Sequence, residues 1–175
     1  MTAFNPTLFP RMKATAALPL LCLLAGLPVA ADAKVSLGIY DGWGAFRTEE
    51  GTARCYAIAE PSARTGGSDW QAYASVGYWP TRAVRGQLYF RLSKEKREGA
   101  SVTLSVGERK FALVSGGPNA WAADAKMDAA IISALRSATS MTVSVPAKKG
   151  GLVADTYRLR GAASAIDAAA LGCAR

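Results

Sequence analysis

The residues whose types and spacing allow covalent chemistry are few. They are the cysteines at 22, 55 and 173 and the Ser-x-x-Lys run from Ser93 to Lys96. A cysteine nucleophile works as its thiolate and needs a cationic neighbour, usually histidine, or Cys-x-x-Cys pairing to form it. This chain has no histidine and no such spacing. Cys55 and Cys173 remain as an even pair if the N-terminal segment is removed, and an even pair in an oxidising compartment reads as a disulfide. A reactive thiol and two free thiols are the alternatives. Closing so long a loop is worth roughly 5 kcal/mol in the chain-entropy treatment. Ser-x-x-Lys opens the serine β-lactamase and penicillin-binding signature, in which the lysine activates the serine. No Ser-x-Asn accompanies it, and Lys149-Gly150 is a poor echo of Lys-Thr-Gly. The run therefore reads as a solvated turn after a strand.

Carboxylates offer little more. Glu49, Glu50, Asp124 and Asp128 are scattered, and the last two have helix-start roles. No metal site, cofactor or phosphate-binding loop is expected. Charge is the stronger signal, with a net of +8. Arg82, Arg85, Arg91, Lys94, Lys96 and Arg97 are expected to form a basic rim around one sheet end. Its partners in an exported protein are an anionic envelope component or a host surface rather than nucleic acid, and salt would screen the attraction. The plainer reading is a solvated face, partly neutralised by Glu95 and Glu98. Trp43, Trp70, Trp79 and Trp121 could add a platform, although alternation assigns most of them to the core.

The elements that must hold these residues are mostly strands. Apolar and polar residues alternate over Cys55–Ala59, Val102–Val106 and Met141–Val145, and similar runs cover 72–79, 87–92, 110–115 and 153–159. Gly107-Glu108 suits a type II′ hairpin, and glycine pairs at Gly66, Gly116 and Gly150 mark further turns. Two segments break the rhythm. Met127, Ile131, Leu135 and Ala138 fall at helical spacing behind an Asp124 N-cap. Ser164 and Asp167 resemble a capping box for a C-terminal helix, with Gly172 as its left-handed end. The expected architecture is a mainly β, single-domain β-sandwich with two short helices.

Compartment is set by the N-terminus. Arg11 and Lys13 precede an apolar run from Ala14 to Ala30, and Ala31–Ala33 offers small residues for cleavage. The run is shorter than the ~20 residues that span a bilayer, so residues 1–33 read as a cleaved signal peptide and 34–175 as the mature domain, without a transmembrane span. Cys22 would leave with the signal.

"GWGAF", "CYAIAEP", "DAAIISALRSATSMTVS" and "DTYRLRGAASAIDAAALGC" together resemble the invasion-associated locus B family of exported alphaproteobacterial proteins, over residues 38 to 173. The resemblance implies a periplasmic, outer-membrane-associated or secreted protein, in some members tied to host-cell invasion, with no established reaction. Family members often carry another cysteine where Phe46 and Arg47 stand here, so no second bridge is expected. The function expected is that of a stapled, non-enzymatic envelope protein acting through surface binding. The alternative is an exported hydrolase or transferase using Ser93 and Lys96 or a carboxylate pair.

Overall fold

The computed structural model describes residues 34–48, 52–65 and 67–174. The expected signal segment 1–33 with Cys22, the acidic pair Glu49–Glu50 and the turn residue Gly66 lie outside the described residues.

Alternation builds the strands as read. In β7 (Val102–Val106), Val102, Leu104 and Val106 are buried while Thr103 and Ser105 face partly outward. The same pattern governs β3 (Arg54–Ala59), β5 (Tyr73–Trp79), β6 (Val84–Arg91), β10 (Ser140–Pro146) and β11 (Leu152–Arg158). Sequence reading passed over β1 (Lys34–Tyr40), β2 (Trp43–Thr48), the two-residue β4 (Ala63–Arg64) and the short β9 (Asn119–Trp121). With β8 (Arg109–Gly116), the strands form one antiparallel sheet in the order β1-β2-β3-β5-β6-β9-β8-β7-β10-β11-β4.

β8 turns that sheet into a sandwich. Its first part pairs with β7, from Arg109 to Leu113, and its last part with β9, from Val114 to Gly116. The sheet folds over at this strand into a first layer of β1, β2, β3, β5, β6 and β9 and a second of β7, β10, β11 and β4, which meet through an apolar interior where Phe90 of β6 lies 6.0 Å from Tyr157 of β11, ring centre to ring centre. At the β7–β8 hairpin Gly107 alone takes a left-handed φ, 56°, as the type II′ reading requires.

Two helices close the open sides. α1 (Ala125–Leu135) begins as expected, with the Asp124 carboxylate accepting the Met127 amide at 2.7 Å, and packs on β6 and β7. α2 (Ala162–Gly172) lies against β1, β2, β3 and β5. Its start differs from the expected capping box. Gly161 is the N-cap, at φ 82°, and a side chain there would collide with the Tyr40 carbonyl. The chain can turn into the helix this close to β1 only with glycine, so Ser164 falls inside the first turn and caps nothing. Gly172 is likewise the last helical residue, outside the left-handed region. A Cβ there would meet the end of the Leu37 side chain of β1 at 2.5 Å. No helix among the described residues is long and apolar enough to cross a membrane.

Candidate functional site

β3 alternation points Cys55 inward, fully buried, and α2 ends directly beside it. Cys55 and Cys173 form a disulfide with a Cα–Cα distance of 5.7 Å. Arg47 is the cross-strand partner of Cys55 on β2, and its guanidinium donates to the Gly172 carbonyl at 3.4 Å. The position where a second cysteine was expected in relatives thus carries a cation at a helix C-terminus, where the macrodipole favours positive charge.

The Ser-x-x-Lys run departs from the solvated turn expected of it. Ser93 is fully buried, its amide donating to the Asp155 carboxylate at 2.8 Å. Asp155 and Tyr157 project inward from β11 beside it. The Ser93 hydroxyl, one Asp155 oxygen and the Tyr157 hydroxyl are buried without hydrogen-bond partners. Burial, reinforced by the Asp155 charge, pushes the Tyr157 hydroxyl far above its ordinary pKa. The charged letters around Ser93 conceal its burial, because Glu95 turns outward and Lys94 partly so at the position where the chain has just left β6.

The segment after Ser93 is pinned. Lys96 bridges to Ala147, the Arg97 amide donates to the Pro146 carbonyl at 2.8 Å, and the Lys148 amide donates to the Glu95 carbonyl at 3.0 Å. This short ladder sets the chain at Lys94, Lys96 and Arg97 beside Lys148 and Lys149, two cations outside the expected rim. Glu95 is taken up by Lys148 at 2.8 Å, and that bond raises the lysine pKa. The result is a basic corner. Arg91 adjoins it, stacked 5.8 Å above the Trp70 ring, whose indole N–H donates to the Leu92 carbonyl. Arg82 and Arg85 are elsewhere. They sit at the opposite end of β6, about 20 Å from Arg91 at ~3.3 Å per residue, so the six cations of the expected rim form two groups.

Of the four tryptophans only Trp43 is core, 1 % exposed, with its indole N–H donating to the Arg158 carbonyl at 2.9 Å. Trp70, Trp79 and Trp121 are half-buried at the surface. The alternation rule failed for them because the outer face of the first layer carries a row of aromatics instead of polar residues.

A family model described as invasion associated locus B (IalB) protein matches residues 43–170. The chain belongs to the invasion-associated locus B family. No curated protein and no solved structure matches it. The IalB match begins at Trp43, the residue that ties β2 to the end of β11. It takes in Cys55, both layers and most of α2. Family membership and the Cys55–Cys173 bond together fit an exported envelope protein.

Proposed function

We propose that this IalB-family chain is a non-enzymatic envelope protein, exported and stapled, that acts by docking its basic corner on an anionic envelope component or host surface. The observation that carries this reading is the ladder between residues 95–97 and 146–148, which fixes Lys94, Lys96, Arg97, Lys148 and Lys149 together on one edge. A run of charge on a loose loop is a solvated face. A run held in register against a second lysine pair presents a defined cationic field. The two acids nearby, Glu95 and Glu98, offset only part of it. The Ser93–Lys96 form of the catalytic alternative loses support from the burial of Ser93, whose hydroxyl no substrate reaches.

The test is cosedimentation of the purified chain with anionic vesicles and with lipopolysaccharide across a salt series. Binding falls steeply between about 0.05 and 0.5 M salt as the Debye length shrinks. Lys94→Ser, Lys96→Ser and Arg97→Ser combined weaken it with circular dichroism unchanged, and Ser93→Ala alone has no effect on it. Salt-independent binding, or equal binding by the triple variant, would remove the corner from the function.

A further inference from the structure

A second surface is built more closely than the basic corner. Where the β1–β2 hairpin, the end of β3 and the start of β5 converge, an open groove of about 790 Å³ crosses the outer face of the first layer. Its bed is aromatic. The Phe46 ring lies flat across Gly44, where a Cβ would meet it at 2.6 Å, and is flanked by Tyr56 at 5.8 Å between ring centres. Ile58 lies beside it, and Tyr73, itself 5.8 Å from Tyr89, forms the facing wall. Its rim is polar on both signs. Asp41 and Arg160 pair at 3.3 Å, and Glu60 and Gln71 stand exposed beside them. The Trp43 indole holds the Arg158 carbonyl, which fixes the end of β11 as one side of that rim.

We infer that this groove binds a neutral oligosaccharide. A sugar ring presents a face of C–H groups to stack on a flat aromatic and a belt of hydroxyls that both donate and accept. Phe46 and Tyr73 meet the first requirement. Carboxylates, an amide and guanidinium groups around the edge meet the second, since each hydroxyl finds either an acceptor or a donor. Other occupants fit worse. An acyl chain would strand the charged rim against hydrocarbon. An anion gains no net pull from a rim in which Arg158 and Arg160 are matched by Asp41 and Glu60. An added peptide strand needs unpaired backbone, yet β2 and β3 are hydrogen-bonded on both sides beneath the groove. The site shares no residue with the basic corner and does not rest on it.

The experiment titrates the purified full chain with chitohexaose, cellohexaose and maltohexaose by calorimetry, and maps backbone amide shifts with each. At least one hexasaccharide binds, shifts amides at residues 39–46, 58–60 and 71–73, and keeps its affinity between about 0.05 and 0.5 M salt because the ligand is uncharged. Phe46→Ala weakens binding about tenfold or more through lost stacking area. Gln71→Ala, at an exposed position that does not bear on folding, weakens it about three- to tenfold. The triple variant Lys94→Ser, Lys96→Ser, Arg97→Ser binds the sugar as the wild type does, even where its vesicle binding is lost. No shift with any of the three sugars at about 2 mM overturns the inference. So does binding that Gln71→Ala and Phe46→Ala leave intact, and so do groove shifts produced by anionic vesicles or by raising protein concentration instead of by sugar.

Discussion

α1 and α2 are both eleven residues long, and both close a side of the same sandwich, yet they are held by different means. α1 has its own cap at Asp124, and it buries Ile131 and Leu135. It also sends the Asp128 carboxylate to the amide of Leu88, at 2.8 Å, where β6 has run past its short neighbour β9 and one sheet donor would be orphaned. α2 has no side-chain cap and no acid in its first turn. Three of its four buried residues are alanines, with Ile166 the single large one. A helix this short is marginal alone, and small side chains bring little apolar area to the interface. α2 lies close against four strands, and the disulfide, with Arg47 beside it, adds a covalent hold to a contact made mostly by small side chains. α1 is thus joined to the sheet by a cap and a side-chain hydrogen bond, and α2 by a covalent tie at the end of an alanine face.

That contrast is broken most severely by removing the staple. Cys173→Ser should cost about 2–5 kcal/mol in urea denaturation, and the loss should be centred on α2. Asp128→Ala should cost about 1–3 kcal/mol by leaving the Leu88 N–H buried without an acceptor. Asp128→Asn should spare most of this, because an amide oxygen still accepts. Burial raises the Asp128 pKa above 3.8, with the Leu88 bond opposing and the Asp124 charge reinforcing the rise. The folded chain therefore holds this proton more tightly than the unfolded chain. Its contribution to stability is largest below the unfolded pKa and declines as pH rises through the folded one, and Asp128→Asn should flatten that slope.

The smallest effect belongs to the link between the two helices. Arg136 forks onto Asp167 at 2.6 and 3.1 Å, which lowers the aspartate pKa, so its contribution is present at neutral pH and lost as pH falls through the folded value. Both side chains are about half exposed, 44 % and 53 %, and Arg136→Ala should cost less than about 1 kcal/mol, shrinking further in salt. A thermal scan in low and high salt reads this directly.

Those differences track how much of each region is written locally. The strands of the second layer other than the two-residue β4, and α1 with its cap, follow from alternation and spacing alone, and the staple follows from counting cysteines. The β1–β2 hairpin carries an Asp41-Gly42 loop, a strong hairpin signal, but Gly38 and Gly44 stand where β-branched residues would have marked the strands. Gly44 makes room for the flat Phe46 ring, a demand that a one-dimensional pattern cannot register. The start of α2 was misread because a capping box is local, while Gly161 answers to the Tyr40 carbonyl on a distant strand. Ser93 was misread for the same reason: its burial is decided by Asp155 on β11. The basic corner was half legible, since Lys94 to Arg97 are adjacent in sequence and Lys148 and Lys149 reach them only through the fold. The groove is not legible at all, being assembled from five strands, β1, β2, β3, β5 and the end of β11.

Hydrogen exchange read by mass spectrometry, with the chain oxidised and then reduced under native conditions, separates the two modes of attachment in one experiment. Reduction should strip protection from residues 162–173 and from their neighbours on β1 and β2, while 125–135 and the strands of the second layer exchange as before. Equal loss in both helices, or protection of α2 that survives reduction, would show that the disulfide is not what holds the C-terminal helix to this sandwich.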